Sequence, residues 1–208
     1  MSGDGRRLRV AFVGCGNIAR YHLTAALACG RVAITALVDP SSDARAAMAA
    51  LVPPEFGTLP GFASLEEAVA ADPTGDLFEA VDIMVPSFLV DGTDLHERVT
   101  KTALAAQRHV LLEKPVTVTP EAAERLAAFH AASAPSRVFA VAENAQFWPE
   151  VLAALASLRR GDIGELLSVH GKFWESATGE WAGDYVEGSW RCDPGKLPAA
   201  SFTYDGAS

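Results

Sequence analysis

The sequence predicts an α/β fold built on a mostly parallel sheet, and three observations predict it. Short apolar runs alternate with alanine-rich stretches of helical periodicity from Leu8 to Ala142. The runs are apolar at consecutive positions, the mark of strands covered on both faces. Each ends abruptly at a glycine, a proline or a charged residue. This β-α-β order implies helices on both faces of the sheet, because right-handed crossovers place them there.

The elements follow in order. Leu8 to Val13 is apolar except for Arg9 and stops at Gly14, so it reads as a buried strand. Residues 17 to 29 read as a helix, with Ala19, His22, Leu23, Ala26 and Leu27 at helical spacing and Gly30 as the stop. Val32 to Val38 is rich in β-branched residues and ends at Asp39. Pro40-Ser41-Ser42 opens a second helix. Pro53, Pro54, Gly57, Pro60 and Gly61 punctuate a loop with room for a short strand. Ser64-Leu65-Glu66-Glu67 is a capping box opening a third helix. Ala80 to Val85 is the next strand, ending at Pro86. His96 to Gln107 reads as a helix, and Val110 to Leu112 as a strand ending at Glu113-Lys114-Pro115. Thr119-Pro120-Glu121 joins an N-cap candidate to a proline at the first helical position and an acid in the first turn. That helix leads to a last strand over Arg137 to Ala142.

After Asn144 the pattern changes. Residues 149 to 160 read as a helix, Gly161-Asp162-Ile163-Gly164 as a turn, and Leu166 to Trp174 as a long strand. Aromatic and glycine-rich segments with Trp181, Tyr185, Phe202 and Tyr204 follow. The expected division is 1–142 for the parallel-sheet domain and 143–208 for the start of an α+β sheet domain. The latter is expected to be incomplete, since one clear strand cannot bury both faces of a sheet.

The chain has 208 residues, half of them apolar, and a formal net charge of -9. That charge argues against nucleic acid as a partner. The Arg6, Arg7 and Arg9 cluster reads as a solvated strand entrance. Cys15, Cys29 and Cys192 are odd in number and widely spaced, which gives neither a disulfide framework nor a metal site. No segment has the apolar length of a membrane span, so the expectation is a cytoplasmic protein whose partner is a small-molecule substrate.

The strongest motif is Gly14-Cys15-Gly16-Asn17-Ile18-Ala19, a G-x-G-x-x-A sequence between a strand and a helix. Gly14 permits the tight turn, Gly16 lets a pyrophosphate approach the backbone, and Ala19 lets helix and strand pack closely. Cys15 reads as a small apolar residue there. The helix N-terminus offers free N–H groups to phosphate oxygens. This makes residues 1–142 a Rossmann dinucleotide-binding domain, with NAD or NADP expected. Asp39 ends the second strand, where a carboxylate accepts from ribose hydroxyls and repels a 2′-phosphate. That slightly favours NAD, although Ser41, Ser42 and Arg45 lie close enough to accommodate a phosphate. Asp39 also reads as a helix N-cap. Lys114 is either a solvated charge or a donor to a substrate oxygen that gains alkoxide character. Pro115 is a candidate cis proline. Pro86, Ser87, His96, Glu113 and Asn144 gather at the same strand ends and are candidate cofactor contacts. For Asn144 a structural role is equally open, and a lone histidine such as His96 is more often structural than catalytic. The other histidines are scattered and suggest no metal cluster.

These residues resemble the Gfo/Idh/MocA oxidoreductase family, which includes glucose–fructose oxidoreductase, inositol dehydrogenases and dihydrodiol dehydrogenases. The resemblance rests on GCGNIA at 14–19, ALVDP at 36–40, FASLEEA at 62–68, VDIMVP at 81–86 and LLEKPVTVT at 111–119. It continues through ENAQFWP at 143–149, GDIGEL at 161–166, Trp190-Arg191 and TYDGAS at 203–208. It implies a Rossmann domain followed by an open-faced sheet domain that carries substrate contacts and commonly a dimer interface. It implies reversible hydride transfer between NAD(P) and a secondary alcohol, often a sugar or polyol. Lys114 then polarises the substrate hydroxyl. Trp190 and Arg191 join the cofactor contacts, and Asp205 partners a catalytic histidine four positions on. The sequence ends at Ser208, before that position, so a truncated chain is expected, with homo-oligomers only if the second sheet is completed. Ala199-Ala200-Ser201 stands where many relatives carry a glycine triplet, and Phe88 to Leu95 is longer than the usual link.

The leading expectation is an NAD(P)-dependent dehydrogenase or reductase acting on CH–OH. The alternative is a nucleotide-binding but catalytically inactive fragment or sensor. A methyltransferase, which also uses a glycine loop and an acid after the second strand, is disfavoured by Ala19 and by Glu113-Lys114-Pro115.

Overall fold

The computed structural model describes residues 5–172 and Lys196. Its strands are β1 (Leu8–Val13), β2 (Val32–Val38), β3 (Gly61–Phe62), β4 (Ala80–Ile83), β5 (Leu89–Val90), β6 (Thr93–Asp94), β7 (His109–Leu112) and β8 (Phe139–Val141). Its helices are α1 (Asn17–Cys29), α2 (Ser42–Ala49), α3 (Leu65–Ala71), α4 (Leu95–Ala105), α5 (Pro120–Ser133) and α6 (Pro149–Arg160).

Six parallel strands form one sheet in the order β3-β2-β1-β4-β7-β8. The chain starts in the middle, builds outward to β3, then returns to β4 on the other side of β1. Right-handed crossovers move the helices to the opposite face when the direction of travel reverses. Two cores result. Val10, Phe12, Ile34 and Leu37 pack under Ala19 and Leu23 of α1 and Met48 of α2. Ala11, Val13, Val81, Ile83 and Leu112 pack under α3, α4 and α5 through Leu65, Leu104 and Leu126. Neighbouring strand residues therefore point into different cores, which is why the runs are apolar at every position.

Four helices begin with a side-chain cap. Ser41 accepts from Ala44 N–H at 3.2 Å, Ser64 from Glu67 N–H at 3.2 Å, Asp94 from Glu97 N–H at 3.0 Å and Thr119 from Ala122 N–H at 3.3 Å. The capping box closes one residue early, because Glu67 accepts from the Ala63 N–H at 2.9 Å rather than from Ser64. Asp39 is not the cap of α2, since Ser41 takes that place.

Other expectations are corrected. Leu166 to Lys172 is not a strand: among the described residues nothing pairs with it, and Leu167 is 88% exposed. An unpaired strand leaves its backbone groups to solvent, so alternation alone does not make one. Most of the expected second domain, 143–208, lies outside the described residues, and within them α6 buries no side chain. Leu27 lies on the outer side of α1, 37% exposed. The long link from Phe88 to Leu95 holds a small antiparallel hairpin, β5–β6, turned by Asp91 and Gly92, both with positive φ.

Candidate functional site

In a parallel sheet, residues paired across the strands form a row. Val38, Val13, Ile83, Leu112 and Val141 are one such row. Asp39, Gly14, Met84, Glu113 and Ala142 come next and line the carboxyl edge together. Backbone bonds hold that edge in register: Gly14 N–H to Val38 O at 2.8 Å, Met84 N–H to Val13 O at 2.7 Å and Glu113 N–H to Ile83 O at 2.9 Å. The direction of strand addition reverses between β1 and β4, which makes this edge the topological switch point where open α/β sheets take ligands. Two strand spacings separate Gly14 from Glu113, roughly 10 Å.

The two glycines of the turn differ physically. Gly14 has φ +95°, and a Cβ built on it would lie 2.7 Å from the Met84 carbonyl oxygen. The fold itself needs glycine there. Gly16 has φ -82°, and a Cβ on it would meet nothing within 4 Å. Gly16 and Asn17 are exposed, Ile18 is half-buried and Ala19 is fully buried against β1. Among the described residues no side chain caps α1, and no acid sits in its first turn, so its first N–H groups lie beyond the reach of intrahelical acceptors.

Asp39 is half-buried beside this turn. One carboxylate oxygen accepts from the Cys15 N–H at 2.9 Å and the other from the Ser41 N–H at 2.8 Å. Arg45 donates to the Asp39 carbonyl oxygen. Cys15 is buried, and that burial, with the Asp39 charge adding to it, pushes its thiol up to about 12. It is a protonated packing residue, not a nucleophile.

Across the mouth, Pro86 is exposed and Ser87 is buried with a hydroxyl that has no partner among the described residues. His96 is fully buried. Its Nδ1 lies 2.8 Å from the Pro115 carbonyl oxygen and its Nε2 2.8 Å from that of Val85. Both ring nitrogens are thus used within the protein, pinning the β4 tip to the β7 tip. This corrects the expectation that His96 faces a cofactor: the α4 start, on which it sits, is packed inward under both loops. The Lys114–Pro115 peptide is cis. Lys114 and Glu113 are half-buried, and Asn144 is exposed beyond β8 in a short 3-10 turn, Asn144–Phe147. Trp190, Arg191 and Asp205 lie outside the described residues.

A feature that sequence reading missed sits behind this edge. His22, on α1, bonds Asp82 of β4 at 2.8 Å through Nδ1 and Glu113 at 2.9 Å through Nε2. The second Glu113 oxygen accepts from the Lys114 N–H at 3.0 Å. Burial alone would lower the imidazole pKa. The hydrogen bonds and charges of Asp82 and Glu113 outweigh it and raise His22 to about 9. Burial raises Asp82 above the usual carboxylate range, with His22 opposing and the Glu113 charge adding. The signal was present: Asp82 interrupts an apolar strand, and His22 shares the inward face of α1 with Ala19 and Leu23. A buried charge of this kind requires a partner.

The comparisons agree with this geometry. A profile of the Gfo/Idh/MocA oxidoreductase family, described as an NAD-binding Rossmann fold, matches residues 8–142. An uncharacterised oxidoreductase of Schizosaccharomyces pombe is 29% identical over 101 residues, covering 49% of this chain and 26% of that protein. The crystal structure of the WlbA dehydrogenase from Bordetella pertussis, in complex with NADH and UDP-GlcNAcA, matches with TM-score 0.62 and 26% identity over 76% of this chain and 44% of its own. That of scyllo-inositol dehydrogenase from Lactobacillus casei, with bound NAD(H) and scyllo-inositol, matches with TM-score 0.64 over 77% of this chain and 43% of its own. At 20% identity the latter likeness speaks for the fold. This chain spans less than half the length of each of these relatives. The matched region, the sheet order and the glycine turn together show that the chain belongs to the Gfo/Idh/MocA family of oxidoreductases, whose NAD-binding Rossmann fold it carries.

Proposed function

We propose that this chain holds a nicotinamide dinucleotide across the carboxyl edge of its sheet. There it serves hydride transfer between that cofactor and a secondary alcohol or its ketone, of sugar or polyol type. The observation that carries this reading is the open space at Gly16 over an uncapped helix end. Packing demands Gly14, whereas nothing among the described residues demands Gly16. Close approach of a pyrophosphate supplies the missing reason.

In this reading Gly14 shapes the turn, Ala19 seats the helix, and the N–H groups of Gly16, Asn17 and Ile18 donate to the pyrophosphate. Asp39 takes the adenosine ribose: each carboxylate oxygen already accepts one backbone N–H and keeps a lone pair for a hydroxyl. Its charge opposes a 2′-phosphate, which favours NAD over NADP. Pro86, Ser87, Glu113, Lys114 and Asn144 surround the nicotinamide end, with Trp190 and Arg191 joining them by family resemblance. The nicotinamide ring supplies the hydride acceptor or donor. The Lys114 ammonium donates to the substrate oxygen and stabilises its alkoxide character. Asp205 stands, by resemblance, beside the group that moves the hydroxyl proton. The substrate class follows the neighbours, whose described ligands are an inositol and a nucleotide sugar acid. Among the described residues no helix is long and apolar enough to cross a membrane.

The test is a fluorescence titration of the full chain with NADH and NADPH, followed by turnover over a panel of inositols, sugars and sugar acids with NAD. Tight NADH binding with turnover is the expected result. Binding without turnover on any polyol removes the hydride-transfer half of the reading, and absence of binding removes all of it.

A further inference from the structure

His22, Asp82 and Glu113 form a line of charged groups beneath the carboxyl edge, and the proposed hydride chemistry gives His22 and Asp82 no part. Its first contact joins Asp82 of β4 to the His22 ring at 2.8 Å, and its second joins that ring to Glu113 at 2.9 Å. Its third runs from the other Glu113 oxygen to the Lys114 N–H at 3.0 Å. All three side chains are mostly shielded, with relative exposures of 14% for His22, 10% for Asp82 and 13% for Glu113. The line connects the helix whose N-terminus opens on the glycine turn to the backbone of the lysine at the far side of the mouth.

Charge-assisted hydrogen bonds of this length are directional. A glutamate at a strand tip has several rotamers, and few of them place one carboxylate oxygen on the Lys114 N–H and the other on α1. An imidazole presenting N–H groups to Asp82 and Glu113 at once selects one of them. We infer that His22 is a positioning residue: by fixing Glu113 between α1 and the Lys114 backbone, it sets where the Lys114 ammonium meets the nicotinamide end of a bound dinucleotide. The inference rests on the dinucleotide reading above and adds to it a residue far along α1 from the glycine turn.

The experiment separates positioning from stability by using two probes. NADH reaches both ends of the mouth, whereas ADP-ribose reaches only the glycine turn and Asp39. Wild type, His22→Asn, Glu113→Gln and the double variant are titrated with each, alongside thermal melts that report the folded fraction. His22→Asn should bind ADP-ribose as wild type does. It should bind NADH about tenfold more weakly, the worth of one charge-assisted hydrogen bond, and lose the nicotinamide emission change. Glu113→Gln, nearly isosteric, should show the same split even if His22→Asn folds poorly, and the double variant should be no worse than either single one. The inference is overturned if the variants bind NADH with wild-type affinity and emission, or if both probes weaken in parallel. If wild type binds ADP-ribose and NADH and only the split is missing, the dinucleotide reading stands alone. If wild type binds neither, both fall.

Discussion

The backbone N–H of Cys15 donates to the carboxylate of Asp39 across 2.9 Å, tying the glycine turn after β1 to the tip of β2. The same carboxylate holds the Ser41 N–H at 2.8 Å, and so also sets the start of α2. In the proposed reading this one side chain shapes the pyrophosphate turn and presents itself to the ribose. Asp39→Asn keeps one acceptor and loses the charge. It should destabilise the fold by about 1–2 kcal/mol, weaken NADH, and weaken NADPH less, so that the NADH-to-NADPH preference narrows. Parallel titrations and a thermal melt check both.

The two glycines of the turn should respond oppositely to alanine. Gly14→Ala places a Cβ against the Met84 carbonyl at φ +95°, and should destabilise by about 2–4 kcal/mol. Gly16→Ala, at φ -82° with open space, should leave stability within about 0.5 kcal/mol of wild type while lowering NADH affinity at least tenfold. Denaturant curves and NADH titrations of the two variants make the comparison.

Stability should fall on the alkaline side. The folded pKa of His22 is raised from 6.5 to about 9. Its contribution is therefore fully present below 6.5 and is lost as pH rises through about 9. Asp82 and Glu113 are the acids that face the ring, and burial raises the Asp82 carboxyl, with His22 opposing. Melting temperatures across the window should decline in wild type, and His22→Asn should start lower and stay flatter.

The acid side has a different owner. Glu97 is nearly buried and accepts from Arg125 at 2.9 and 2.6 Å and from Lys101 at 2.6 Å. The Arg125 bonds, with Lys101 behind them and burial opposing, hold its carboxyl below 4.5. A depressed carboxyl contributes stability above its unfolded value, lost as pH falls through the folded one. Glu97→Gln should therefore melt lower at neutral pH and lose less than wild type between neutrality and about pH 4. Melts across that range test it.

Most of the sheet was legible because its strands are buried on both faces and punctuated by glycine, proline or charge. Two helix caps followed from Ser64 and Thr119 by local chemistry alone, whereas at Pro40-Ser41-Ser42 the helix start was legible and its cap, Ser41, was not. The hairpin at Asp91-Gly92 had its signal in the Asp-Gly pair, but two-residue strands carry too little alternation to stand out. Leu166 to Lys172 failed for the opposite reason: its residues suit a strand, yet pairing is decided by neighbours and not by the segment. Around the proposed site, the places of Gly14, Asp39 and Lys114 just past strand ends were readable because each apolar run stops there; what they bind is the proposal. His96 stayed open between two roles because sequence position cannot tell a residue that lines a mouth from one that pins its wall. The His22–Asp82–Glu113 line joins residues 60 and 91 positions apart, and only the fold brings them together.

Diffraction from crystals of the full chain grown with NADH tests the central claim most directly. The account predicts pyrophosphate density on the amides of Gly16 to Ile18, the adenosine ribose on Asp39, and the nicotinamide ring beside Lys114. A dinucleotide bound elsewhere, or one bound with Lys114 turned away from the nicotinamide, contradicts it.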